Sequence, residues 1–232
     1  MAGSVVVVGG SSGLGKEVAR HYADRGREVV VTSRSLERAT EAADEIGGNT
    51  TGIALDLFVP HEIAEGLSDL GSVQHLVIAA VERDENQLGS FDIDGAIGLA
   101  TLKLVGYPEV VHTLIDRFTE DASVVLFGGL AKDRPYVGST MVTTVNGGIT
   151  TLINTMAVEL APLRINAIHP AIVGDSPYWA AKPAELLEGF RSRTPTGRLV
   201  TTQDIVGAVA FLLENPGMNA VNLHVDGGTL LG

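Results

Sequence analysis

The sequence predicts an α/β fold, a single domain over residues 1–232 built on one doubly wound, seven-stranded parallel sheet with helices on both faces. Two observations predict it. Short, near-continuously apolar runs rich in β-branched residues recur along the chain, as strands covered on both faces require. Helix-like stretches alternate with these runs, which makes βαβ units with right-handed crossovers. Length and composition agree. A chain of 232 residues, 45% hydrophobic and 19% charged, can bury a sizeable core and is neither disordered nor of low complexity.

Taken in order, the first strand is Val5–Val8, followed by a glycine loop and a helix over Lys16–Arg25. The second strand, Val29–Thr32, leads into a helix over Leu36–Ile46. The third, Gly52–Leu55, leads into Ile63–Leu70, and the fourth is Leu76–Ala79. The fifth, Val124–Phe127, precedes a long helix over Val142–Leu160. The sixth is Ile165–Ile168, and a helix over Asp204–Leu213 leads to the last, Asn222–Val225. The least regular stretches, Val81–Ser90, Gly128–Gly138 and Pro170–Pro183, all follow strands. They belong at the carboxyl edge of the sheet, where open α/β folds bind ligands.

Charge and composition exclude several function classes. Acidic residues outnumber basic ones 28 to 16 for a formal charge of −12, and there is no Lys/Arg run. Nucleic acid and anionic membrane surfaces are therefore not expected partners. The absence of cysteine excludes disulfides and Cys-ligated metal centres. His21, His61, His75, His112, His169 and His224 are scattered singly, so no metal site is expected. The beginning of the chain lacks the basic and long apolar segments of a signal peptide or membrane span. A cytoplasmic protein is expected.

The segment Val8-Gly9-Gly10-Ser11-Ser12-Gly13-Leu14-Gly15-Lys16 runs from strand through glycine loop to helix. Small residues let backbone approach a pyrophosphate, and the helix start presents free N–H groups and a positive dipole end. A tight ligand-free turn is the bland alternative.

With Gly9, Gly13 and Gly15 at their spacing, the sequence resembles the short-chain dehydrogenase/reductase family over nearly its whole length. Asp56 in Ala54-Leu55-Asp56-Leu57, the segment Arg164–Pro170 and the ending Val225-Asp226-Gly227-Gly228 carry the resemblance further. It implies a Rossmann fold with strand order 3-2-1-4-5-6-7. It assigns cofactor contacts to Gly9, Ser11, Ser12, Gly13, Leu14, Gly15, Ser33, Arg34, Asp56, Leu57, Ala79, Ala80, Pro170, Ile172, Val173 and Asp175. Where NAD-preferring members carry an acidic residue after the second strand, this chain has Ser33 and Arg34. A 2′-phosphate repels a carboxylate and accepts charge-assisted bonds from a guanidinium, so NADP(H) is expected over NAD(H).

The family's active-site chemistry uses a Tyr and a Lys four residues apart on the long helix, a Ser after the fifth strand and an Asn on the fourth helix. Here the Ser position reads Gly128, the Tyr position Met141 and the Lys position Val145, and the Asn falls near Thr101. Met141 and Val145 cannot move a proton; they would turn an apolar helix face toward the nicotinamide. Tyr178-Trp179-Ala180-Ala181-Lys182 repeats the Tyr/Lys spacing out of context, and its aromatics are expected to form a lid. Tyr136, assisted by Lys132, is the expected replacement acid, against a plain solvated turn. His169 is expected to be structural.

The resulting expectation is an atypical NADP(H)-dependent oxidoreductase acting on a small carbonyl or alcohol. The alternatives are a catalytically silent NADP(H)-binding sensor or partner subunit, and a non-redox isomerase or lyase. A homodimer or homotetramer is expected, with an exposed apolar stripe of Ile149, Ile153 and Met156 on the long helix at its interface.

Overall fold

The computed structural model describes residues 3–232. Seven strands, β1 (Ser4–Val8), β2 (Glu28–Ser33), β3 (Asn49–Ala54), β4 (Val73–Ile78), β5 (Phe118–Phe127), β6 (Arg164–Pro170) and β7 (Asn222–Val225), form one sheet. Their order is β3-β2-β1-β4-β5-β6-β7 and every neighbouring pair is parallel. This is the doubly wound fold expected. The chain winds outward from β1 to β3, then returns to add β4 on the other side of β1. That reversal leaves a crevice at the carboxyl ends of β1 and β4.

β5 begins at Phe118, six residues before the apolar run that announced it. Its early residues Glu120 and Asp121 are exposed at the amino edge of the sheet, so that half carries no apolar signal.

Alternation along each strand divides the core between the two faces. On one face Val6, Val8, Leu76, Ile78, Val124, Leu126 and Ile165 meet α5 (Tyr107–Leu114) and α6 (Thr140–Glu159). On the other, Val5, Val7, Val29, Val31, Val77 and Val125 meet α1 (Gly13–Ala23) and α9 (Thr202–Glu214), with α2 (Leu36–Ile46) at the edge. Two shorter helices, α3 (Ile63–Gly66) and α8 (Ala184–Arg191), follow β3 and β6. A reciprocal cap starts α9: the Thr201 hydroxyl accepts from the Asp204 N–H at 3.2 Å, and the Asp204 carboxylate accepts from the Thr201 N–H at 2.8 Å.

One sequence expectation is corrected here. Ile149, Ile153 and Met156 are not an exposed stripe; they are 0%, 0% and 6% exposed within this one chain. Their helical spacing is that of a face packed on β5 and β6, and periodicity alone does not say which surface covers such a face. The apolar side chain that α6 does expose is Val158.

Between β4 and β5 lies a helical rod whose bounds the sequence left open. It runs from α4 (Ile93–Ala100) through a π-helical segment, Thr101–Gly106, into α5. Pro108 explains the widened turns. It has no N–H to donate, and its ring crowds the carbonyl of Leu104 four residues back. The widened segment turns Lys103 into the interior, where it is 3% exposed.

Ile153→Ala is expected to cost about 2–5 kcal/mol of unfolding free energy in urea titrations. Val158→Asp on the outer face of the same helix should stay within about 0.5 kcal/mol. A near-neutral Ile153→Ala would restore the exposed-stripe expectation.

Candidate active site

The crevice is a cleft of about 490 Å³ that runs along the carboxyl edge of the sheet. One end is lined by Ser33, Arg34, Arg38 and Phe58, the middle by the glycine loop with Ala79 and Ala80, and the other end by Lys103, Phe127, Gly128 and Pro170.

The glycine loop is built by close backbone approach. Gly9 has φ +80°, and a Cβ there would lie 2.6 Å from the Ala80 nitrogen. A Cβ on Gly15 would lie 2.4 Å from the Gly9 carbonyl oxygen. Gly13, by contrast, has φ +54° and open space beside it, so the loop there faces the cleft. The Thr32 hydroxyl accepts from the Gly9 N–H at 3.2 Å and ties the loop to β2. Ser12 precedes α1 without capping its first turn by its side chain. The free N–H groups of that turn remain for an anion. This set fits a dinucleotide pyrophosphate.

At the end lined by Ser33, Arg34 Nη1 lies 3.5 Å from Glu82 Oε2. Arg38, in the first turn of α2, lines the same end, a residue the sequence reading missed. Asp56 lines the same end, its Oδ1 accepting from the Phe58 N–H at 2.9 Å. The floor at Ala80 is held by the buried Tyr107 hydroxyl, which donates to the Ala80 carbonyl at 2.6 Å.

At the other end the expected residues separate. Lys132 and Tyr136 do not line the cleft. Lys132 donates to Asp133 at 2.6 Å and lies 3.1 Å from His224 Nε2, while Tyr136 is 59% exposed on the outer loop. Partial burial also raises the Tyr136 pKa, which weakens it as an acid. Neither side chain lines the cleft: Lys132 is held beside Asp133 and His224, and Tyr136 is exposed near Arg83 and Tyr178 at its mouth. Met141 and Val145 do not line the cleft either, and Val145 is buried. Asp175 turns aside to accept from the Thr202 N–H at 2.7 Å and hydroxyl at 2.9 Å; it and Ile172 lie outside the lining. Of the assigned cofactor contacts, Gly9, Ser11, Ser12, Gly13, Leu14, Gly15, Ser33, Arg34, Asp56, Leu57, Ala79, Ala80, Pro170 and Val173 do line it.

His169 accounts for Gly128. A Cβ at Gly128 would fall 2.3 Å from His169 Nδ1, so no serine fits while that imidazole is there. Nδ1 accepts from the Gly129 N–H at 3.1 Å, and Nε2 pairs with Asn222 Oδ1 at 2.8 Å. The Asn222 amide nitrogen donates elsewhere, to Thr150 O, which leaves Nε2 as the protonated nitrogen of His169. Burial lowers the His169 pKa to about 4, so the ring is neutral at pH 7.

Lys103 is the residue sequence reading missed. Its Nζ donates to the Phe127 carbonyl at 2.9 Å and to Asn146 Oδ1 at 3.1 Å. Burial lowers its pKa to about 8. A lysine amid Leu102 and Leu104, five residues before a helical proline, was the available signal. Over the cleft mouth, Tyr178 and Trp179 stand on a short helix, α7 (Pro177–Ala180). The Arg83 guanidinium lies 3.1 Å from the Tyr178 ring centroid and Lys182 Nζ 4.3 Å from it. Lys182 thus touches the ring face.

A glycine cradle at a helix start, at the switch point of a doubly wound sheet, defines a nucleotide-binding α/β protein. Residues 8–229 match the family model described as enoyl-(acyl carrier protein) reductase. The chain belongs to the short-chain dehydrogenase/reductase family, a family of oxidoreductases. It is 29% identical to the mouse (Mus musculus) 3-oxoacyl-[acyl-carrier-protein] reductase, with 97% of each chain covered. The reductase/Diels-Alderase MalC from Malbranchea aurantiaca has the same fold, with a TM-score of 0.90 at 22% identity over 100% of this chain and 97% of that one. So does a small-chain dehydrogenase solved in complex with NADPH, with a TM-score of 0.84 at 23% identity over 100% of both chains.

Gly128→Ser is expected to destabilise the fold by about 1–3 kcal/mol through overpacking against His169. A double-mutant cycle with His169→Ala, followed by chemical denaturation, should show the two changes coupled by about 1 kcal/mol or more. Additive effects would mean that the imidazole does not exclude the side chain.

Proposed function

We propose that the protein is an NADP(H)-dependent reductase of a small carbonyl compound, or equally the dehydrogenase of the corresponding alcohol. One observation carries this reading. The glycine cradle opens toward Ser33, Arg34 and Arg38 at one end and toward Gly128 and Lys103 at the other, in one continuous cleft. Bound NADP(H) supplies or accepts a hydride at the inner end. Arg34 and Arg38 hold the 2′-phosphate, which takes the place of Glu82 as the anion paired with Arg34. Gly13 and the first turn of α1 hold the pyrophosphate. Tyr178 and Trp179 exclude water above the substrate. The resemblance to 3-oxoacyl reductases makes a 3-oxoacyl thioester the first substrate class to try.

The whole of 1–232 acts as one cofactor-binding domain, in the cytoplasm. A homodimer or homotetramer fits apolar side chains exposed at Ile93, Ile97 and Val105 on the α4–α5 rod. A second reading, a silent NADP(H)-binding subunit, is favoured by Met141 and Val145 at the family's Tyr and Lys positions. Turnover with NADPH decides between the two.

Arg34→Ala combined with Arg38→Ala is expected to raise the calorimetric Kd for NADPH about 10- to 100-fold, the value of one charge-assisted bond or slightly more. The Kd for NADH should hardly move. An equal loss for both cofactors would remove the case for the phosphate. Tyr136→Phe should leave the rate of NADPH oxidation by acetoacetyl-CoA unchanged; a large loss would reinstate Tyr136 as the acid.

A further inference from the structure

The inner end of the cleft holds a buried cation with no carboxylate partner. Lys103 is 3% exposed, and its hydrogen bonds go to two neutral acceptors, Phe127 O at 2.9 Å and Asn146 Oδ1 at 3.1 Å. An ammonium has three N–H bonds. Among the described residues the third has no acceptor, and Lys103 lines the cleft beside Phe127 and Gly128. Burying an ammonium without a counter-ion is costly, and a methionine would fill the same space without that cost. Packing alone therefore does not explain this lysine.

We propose that Lys103 is the proton donor of the site, passing a proton from Nζ to the carbonyl oxygen of the substrate as hydride adds to the carbonyl carbon. This rests on the carbonyl-reductase reading above. The hydride electron pair becomes the new C–H bond, and the C=O π pair becomes a lone pair on oxygen. The Nζ–H bond breaks as the O–H bond forms. Lys103 is left as a neutral amine, whose two remaining N–H bonds still donate to Phe127 and Asn146. Its lone pair then takes the place of the third N–H. A proton from water restores the ammonium. Carbonyl, reduced dinucleotide and one proton thus give alcohol and oxidised dinucleotide. Asn146 and the Phe127 carbonyl act as positioning groups that keep Nζ in place through both protonation states.

The electrostatics suit the role. Burial lowers the Lys103 pKa to about 8, close to working pH, where a general acid is effective. The ionisable neighbours are neutral at pH 7. The Tyr107 ring lies 5.6 Å from Nζ with its own pKa raised by burial, and His169 beyond Gly128 has its pKa lowered to about 4. Of the carboxylates lining the cleft, Asp56 accepts from the Phe58 N–H, and Glu82 stands beside Arg34 at the opposite end of the cleft from Lys103.

The test compares wild type with Lys103→Met, using NADPH and acetoacetyl-CoA, together with ¹³Cε-lysine NMR of the full chain. In Lys103→Met, kcat is expected to fall about 10²- to 10⁴-fold, the range for a lost general acid. The NADPH Kd should stay within about threefold, as for an interaction that matters only in the chemical step. Wild-type kcat should fall as pH rises through about 8, where Nζ loses its proton, and the residual rate of the variant should not. The Lys103 signal, assigned by its loss in the variant, should titrate near pH 8 and shift when NADP+ is added. Equal kcat in wild type and variant overturns the assignment, as does a Lys103 signal that does not titrate near pH 8 and ignores NADP+. A wild type that binds no NADPH and reduces nothing overturns the carbonyl-reductase reading and the proton donor together. Reduction at the wild-type rate in Lys103→Met overturns the donor alone. If Lys103→Met does not fold, Lys103→Gln, the wild-type pH profile and the NMR titration decide.

Discussion

The contact on which the cleft depends is backbone against backbone at the end of β1. Gly9 comes so close to Ala80, and Gly15 so close to the Gly9 carbonyl, that no side chain fits at either glycine. This closeness brings the start of α1 over the sheet edge with its N–H groups exposed. It also fixes where β4 can end, because the Ala79 N–H donates to the Val8 carbonyl and the Tyr107 hydroxyl holds Ala80 from below. The end of the cleft at Ser33 and Arg34 follows from the same packing, since the neighbouring Thr32 of β2 bonds to Gly9. Loosening the turn would separate the anion-binding N–H groups from the guanidiniums that frame the cleft.

Two buried nitrogenous groups meet at the inner end. His169 fills the volume beside Gly128 and is locked between the Gly129 N–H and Asn222. Lys103 comes from a different helix, carried inward by the π-helical turns that Pro108 imposes. Its partners lie on β5 and α6, so three elements converge on one ammonium. On the loop after β5, Lys132 and Asp133 pair with each other and with His224 of β7.

Much of the fold was legible because its signals are local. Val5–Val8 is apolar on both faces because both faces are covered, and the glycine spacing reports a backbone approach that only glycine permits. The start of β5 was not legible, because Glu120 and Asp121 sit at a solvated sheet edge and carry no apolar pattern. The burial of Ile149, Ile153 and Met156 was misread because a helical stripe shows that something covers it without saying what. Lys103 was missed for a third reason. Lysine in a helix reads as a surface residue, and only the displaced hydrogen bonding around Pro108 turns it inward. Arg38, in the first turn of α2, was overlooked as well.

A structure of the protein with NADP+ bound tests the central claim most directly. The account expects the pyrophosphate against Gly13 and the first turn of α1, the 2′-phosphate between Arg34 and Arg38, and Lys103 Nζ bordering the space beside the nicotinamide. A dinucleotide lying elsewhere, or one whose nicotinamide is walled off from Lys103, would contradict it.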